Sequence, residues 1–189
     1  VPESIAVVGG GVVSVEACTW LAGLGARVTL LVRGRRLLER FEPFASDLVA
    51  DGLRAAGVDV QFGADVSRAE RPDGRDTGVG RVHGGPVTLT VDGASRDFAE
   101  VLVATGRRPA TDALGLETVG LPADAPRQAS LLPQWLHAVG DVSGEAPLTH
   151  WGKYRARLVG DRIAAVAEGR PVPDEPADVP VPQVVFTDP

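Results

Sequence analysis

A Rossmann-like, doubly wound α/β fold is what this sequence predicts, and three features carry the expectation. Short β-branched runs stop abruptly at glycine, as strands buried on both faces of a parallel sheet do. Stretches of helical periodicity lie between them and are closed by glycine. The elements alternate strand, helix, strand, helix, strand from the first residues, which with right-handed crossovers gives a parallel sheet.

Ile5 to Val8 (IAVV) is the first strand. Val12 to Leu24 follows as a helix, with Val12, Val15, Ala17, Leu21 and Leu24 falling mostly on one face, and Gly25 stands where a left-handed cap would end it. Val28 to Val32 is the second strand. The second helix runs from Phe44 to Ala56, apolar at Phe44, Leu48, Val49 and Leu53, with Gly57 behind it and the third strand at Val58 to Phe62. Beyond that the pattern changes. Glu70 to Gly80, rich in Gly, Asp and Arg without periodicity, reads as a mobile loop. Pro86 to Asp92 (PVTLTVD) alternates, and Gly93 to Asp97 turns into another strand, so a β-meander replaces a third helical crossover. Val101 to Ala104 (VLVA) is again a buried strand, ending at Thr105 and Gly106. A strand is expected at Leu136 to Val139, ahead of Gly140 and Asp141, and a last helix from Thr149 to Val166. The proline-rich run from Gly169 to Pro182 reads as a linker, and Val184 to Phe186 resembles the first strand of a further domain.

The totals narrow the function classes. With 44% hydrophobic and 23% charged residues the composition is globular, and no apolar run approaches the roughly 18 residues a membrane span requires. A net charge of −6 argues against a nucleic-acid partner, so any basic cluster acts locally. Cys18 is the only cysteine, which leaves no disulfide framework and no cysteine metal site within these 189 residues and makes a reducing cytoplasm the expected setting. Within a helix, Cys18 reads as a small core residue more readily than as a redox thiol. His83, His137 and His150 are too scattered for a metal site. A start at Val1 and the absence of methionine suggest a piece of a longer protein.

The chemistry begins at the first turn. Gly9, Gly11 and Ser14 occupy the positions of GxGxxG in VVGGGVVSVE. The first glycine permits the tight turn, the second lets the backbone approach a pyrophosphate, and the third small residue lets helix and strand pack closely. The helix then directs free N–H groups and the positive end of its dipole at the phosphates. Set between a strand and a helix at the head of a βαβαβ pattern, Gly9, Gly10, Gly11, Val12, Val13 and Ser14 read as a dinucleotide-binding turn; standing alone they would show only a tight turn.

Which dinucleotide depends on the end of the second strand. A carboxylate about 20 residues past the glycines accepts from the ribose hydroxyls of NAD, whereas arginine there suits the 2′-phosphate of NADP. Val32 holds the position of the acid, and Arg33, Gly34, Arg35 and Arg36 follow it. The planar guanidinium fork bonds phosphate bidentately, so NADPH is favoured over NADH. An ordinary solvated basic loop is the competing reading.

The string VVGGGVVSVE, the segment LVATGRRPATDALGLETVGL, the segment LHAVGDVSGEAPLTHWGKYRARLVGD and the final VVFTDP follow one another in an order and at spacings that resemble the pyridine nucleotide-disulfide oxidoreductases, the class I flavoprotein disulfide reductases. The resemblance implies an NAD(P)H domain over residues 1–103, the returning C-terminal part of an FAD-binding domain over 104–171, and over 172–189 a linker with the start of a dimerisation domain outside this chain. It implies that Gly9 and Gly11 face the NAD(P)H pyrophosphate, that Glu16 lies beside the nicotinamide and flavin, and that Arg33 holds the 2′-phosphate. A second phosphate arginine would fall at Glu39, so that part of the pattern departs, with Arg35, Arg36 or Arg40 as substitutes. Val12 stands where some members carry a gating tyrosine. Ala104, Thr105 and Gly106 resemble the turn passing near both dinucleotides, and Arg107 a residue beside FAD. Gly140 and Asp141 resemble the motif whose carboxylate holds the ribityl chain, and Leu148, Thr149 and His150 the segment approaching the flavin ring. No catalytic residue is assigned within the chain, since the family's redox cysteines and catalytic His-Glu pair would lie outside it. Pro122 to Pro133 looks shorter than the family segment.

The expected activity is that of an FAD-dependent NAD(P)H oxidoreductase passing hydride from NADPH to flavin and on to a disulfide or other acceptor, homodimeric when whole and cytoplasmic, with this chain inactive alone. A flavoprotein with a non-disulfide acceptor, or a non-redox scaffold that keeps nucleotide binding, is the alternative.

Overall fold

The computed structural model describes residues 1–78, 80–175 and 179–188. The chain divides into two compact units, one from Val1 to Gly106 joined by the segment beginning at Val184, the other from Arg107 to Gln183.

The first unit opens with β1 (Ser4–Val8), α1 (Val12–Gly23), β2 (Arg27–Val32), α2 (Pro43–Ala55) and β3 (Asp59–Phe62). It continues with β4 (Val66–Glu70), β5 (Arg75–Asp76), β6 (Val82–His83), β7 (Val87–Val91), β8 (Ala94–Phe98) and β9 (Glu100–Val103). A four-stranded sheet of order β3-β2-β1-β9 is parallel throughout, and β4-β7-β8 form an antiparallel sheet of three. The α/β class, the parallel sheet and the β-meander match what the sequence predicts.

Strand alternation decides which layer covers which face. Ile5, Val7, Val28, Leu30 and Val32 pack with Val15, Cys18 and Leu21 of α1 and Ala50 and Leu53 of α2. Their neighbours Ala6 and Leu31 point the other way, into a second core with Val87, Leu89, Val91 and Phe98 of the meander. The helices therefore cover one face and the meander the other. Both helices end as expected: the Gly25 N–H donates to the Ala22 carbonyl (2.9 Å) and the Ala26 N–H to the Leu21 carbonyl (3.1 Å), a Schellman closure with Gly25 at φ +88°, and Gly57 and Val58 repeat it on α2.

Besides Val184 to Phe186, which forms no strand, three expectations are corrected. The buried face of α2 is Ser46, Ala50 and Leu53, while Phe44 and Leu48 are exposed; the small residues at four- and three-residue spacing let the helix lie close to the sheet. Glu70 to Gly80 is not wholly a loop. Glu70 ends β4, and Arg75 and Asp76 pair antiparallel with His83 and Val82, while Val79 lies outside the described residues. The third correction is in the second unit, where Leu136 to Val139 forms no strand: Val139 is extended (φ −134°, ψ 152°), but no described strand pairs with it, and a strand exists only through its partner's hydrogen bonds.

That second unit consists of 3-10 turns at Leu116–Val119, Ala125–Arg127, Ala129–Leu131 and Gly140–Ser143, followed by α3 (Thr149–Ala167). The Arg155 guanidinium bridges Glu145 (3.1 Å) and Glu175, so the proline-rich segment is tied to α3 at Glu175. No helix among the described residues is long and apolar enough to cross a membrane.

Candidate functional site

The glycine turn is built by sterics that differ at each position. Gly9 has φ +131°, and a Cβ there would sit 2.9 Å from both the Ala104 carbonyl carbon and Ser14 Oγ. A Cβ on Gly10 would lie 2.8 Å from Val32 Cγ1. Around Gly11 the space is open. The first two glycines are thus required by the fold, while the third leaves bare backbone facing outward at the head of α1. Ser14 is fully buried, and its Oγ has no hydrogen-bond partner among the described residues; its smallness lets α1 sit against the Gly9 turn.

Gly11 caps α1 without a side-chain bond, and no acid occupies the first turn. The Val15 N–H donates to the Gly11 carbonyl (3.1 Å), which leaves the earlier N–H groups of Val12, Val13 and Ser14 as the helix's free donors. Oriented donors, the helix dipole and room for a ligand make an anion cradle that fits a pyrophosphate.

The arginines belong to the same construction. After β2 the chain turns through residues 33–41, with Leu37 and Leu38 buried. Leu38 takes a left-handed conformation (φ +47°), and its N–H donates to the Gly10 carbonyl at 2.8 Å, fastening the basic loop to the glycine turn. Arg33 and Arg35 are exposed, and among the described residues neither they nor Arg36 form an ion pair with a carboxylate. An open cleft of about 650 Å³ is lined by Gly34, Arg35, Arg36 and Glu39; neither Arg40 nor Arg33, the residue the resemblance assigns to the phosphate, is among the lining residues. Glu39 is the lining residue that motif reasoning gave no role. The resemblance marks its position only as a departure from the phosphate-arginine pattern, and its place over Gly34 comes from the fold of the loop.

Ala104 continues β9, its N–H bonding the Val8 carbonyl (2.8 Å), so it adjoins Gly9. Thr105 and Gly106 follow and are exposed. Half-buried Glu16 accepts from the Phe186 N–H (3.0 Å), and Val185 packs on the helix-side core. That contact had no signal in the sequence, since it joins residues at opposite ends of the chain.

In the second unit Arg107 pairs with Asp141 (3.2 Å). Gly140, at φ +78°, starts the turn that carries Asp141, and a Cβ on Gly152 would come within 3.2 Å of its Cα. Gly140 and Asp141 therefore lie beside the start of α3, where Leu148 is the cap and Thr149 and His150 form the first turn. His150 Nε2–H donates to the Pro182 carbonyl (3.0 Å). This helix start also lacks a side-chain cap, so its N–H groups can face an electron-rich group. Burial pushes the Cys18 thiol up to about 12, which fits the role of a small core residue. Among the described residues no group of three His, Cys, Asp or Glu could hold a metal ion.

A parallel sheet with a glycine turn at the end of its first strand, opening a helix, defines a Rossmann-like α/β protein. The sequence profile of the family described as pyridine nucleotide-disulphide oxidoreductase matches residues 1–168, and the chain belongs to that family. It is 32% identical to a dihydrolipoyl dehydrogenase of Geobacillus stearothermophilus, over 100% of this chain and 39% of the relative. It is 31% identical to a glutathione reductase of Burkholderia cepacia, over 100% and 40%. Among solved structures, LpdA from Mycobacterium tuberculosis superposes with a TM-score of 0.75 at 25% identity, over 98% of this chain and 39% of that one. The Cu(II) complex of the HOCl-induced flavoprotein disulfide reductase RclA from Escherichia coli gives 0.67 at 25% identity, over 86% and 36%. The chain spans about two fifths of the length of the curated relatives it matches.

Proposed function

We propose that this chain carries the NAD(P)H site and part of the FAD site of an FAD-dependent NAD(P)H oxidoreductase that takes reducing equivalents from NADPH to a disulfide or other acceptor. The observation that carries the reading is the fastening of an arginine loop to an anion-binding glycine turn through the Leu38–Gly10 hydrogen bond. The N–H groups at the start of α1 would hold the pyrophosphate, and Arg33, Arg35 and Arg36 the 2′-phosphate. Glu16, one turn into α1, would lie toward the nicotinamide end. In the second unit Asp141 would accept from the ribityl chain, with Arg107 orienting it, and the α3 start at Leu148, Thr149 and His150 would face the flavin ring. When bound, the two cofactors supply the hydride chemistry; the protein supplies position, charge and exclusion of water.

Anaerobic addition of NADPH to the flavin-loaded whole protein tests this. The oxidised-flavin absorption is expected to bleach, and an unchanged spectrum contradicts the proposal.

A further inference from the structure

Gly34 lies two residues past the end of β2, and the space its side chain would fill is taken by the Glu39 carboxyl group, whose Cδ would be 3.4 Å from a Cβ at Gly34. The loop's own geometry makes this arrangement. Leu38 holds its left-handed backbone because it is buried and bonded to Gly10, and the Phe41 N–H closes the turn onto the Leu38 carbonyl (2.8 Å). A non-glycine residue in that region stores strain, which persists only where surrounding contacts impose it. The next residue, Glu39, is thereby returned over Gly34, and Arg36 Nη2 donates to its backbone carbonyl (3.5 Å). Its carboxylate forms no ion pair among the described residues. Glu39 therefore brings a negative charge into the cleft that it lines with Arg35 and Arg36.

We propose that Glu39 is a specificity-determining residue: its carboxylate over Gly34 opposes the 2′-phosphate held by the arginines and so narrows the preference for NADPH over NADH. The inference rests on reading this cleft as the 2′-phosphate site. A dianionic phosphate among arginines gains from each guanidinium and loses to a carboxylate within the same few ångströms, whereas the ribose hydroxyl of NADH carries no charge to repel. The neutral, isosteric Glu39→Gln keeps the shape and removes the charge.

The test titrates the full chain and Glu39→Gln with NADPH, NADH, 2′,5′-ADP and 5′-AMP at low and moderate salt. Glu39→Gln is expected to tighten NADPH and 2′,5′-ADP by about three- to tenfold, to change NADH and 5′-AMP by less than about twofold, and to lose the gain as salt screens the cleft. Equal tightening of NADH, or unchanged NADPH affinity, overturns the assignment. Arg36→Ala separates the two claims. If it weakens 2′,5′-ADP while Glu39→Gln does nothing, the cleft reading stands and the role of Glu39 falls. If neither variant changes 2′,5′-ADP binding, the cleft reading falls, and the inference with it.

Discussion

At Gly9 and Gly11 a methyl group would meet very different surroundings, and the difference separates folding from binding. A side chain on Gly9 would collide with the backbone of Ala104 at a φ that L-residues rarely adopt, whereas one on Gly11 would enter open space at φ −90°. Gly9→Ala is expected to cost about 3 kcal/mol or more in urea denaturation. Gly11→Ala is expected to stay within about 1 kcal/mol of the parent while weakening dinucleotide binding, because its methyl group would stand where the pyrophosphate must approach the backbone. Equal destabilisation by the two changes would contradict this division. The motif and its division between Gly9 for the turn and Gly11 for the pyrophosphate were legible in the sequence; that Gly10 is also pressed against Val32 was not, because it depends on the packing of β2. Glu39 was legible only as a departure from a pattern, since its place over Gly34 depends on the strained backbone of Leu38.

Among the elements, the helices and the parallel strands were the most readable, because burial on fixed periods and glycine closures are local signals. The β5–β6 hairpin was not, because it is held by a distant ion pair. Arg71, its side chain only 8% exposed, pairs with Glu100 on β9 (2.9 Å), donates to the Ala99 carbonyl (2.9 Å) and also reaches the Val82 carbonyl; His83 Nδ1 adds a 3.3 Å contact to the same carboxylate. Burial works to raise the Glu100 carboxyl, and the hydrogen bonds and charge from Arg71 and His83 outweigh it, holding the group below its ordinary value. A carboxylate lowered on folding contributes stability above its unfolded value, and that contribution fades as pH falls through the lowered folded value. Glu100→Gln is expected to cost about 1–3 kcal/mol at neutral pH, since it leaves a largely buried guanidinium short of its partner, with the deficit shrinking toward acid pH in urea titrations. A deficit that is constant with pH would contradict the pairing. Leu136 to Val139 failed as a strand for the complementary reason: Val139 is extended, but no described strand lies beside it to pair with.

For the whole molecule, the charge balance sharpens the functional reading. A chain of net charge −6 repels an anionic coenzyme at long range, so in the proposed reading affinity would come from short-range donors: the α1 N–H groups and the arginines fastened beside them. Whether these arginines recognise the 2′-phosphate, as proposed, is read by equilibrium titration of NADPH and NADH against the parent chain and Arg33→Ala. The parent is expected to bind NADPH more tightly than NADH, and Arg33→Ala to weaken NADPH by about tenfold while leaving NADH within about twofold. Equal affinities in the parent, or an unchanged NADPH affinity in Arg33→Ala, would contradict it.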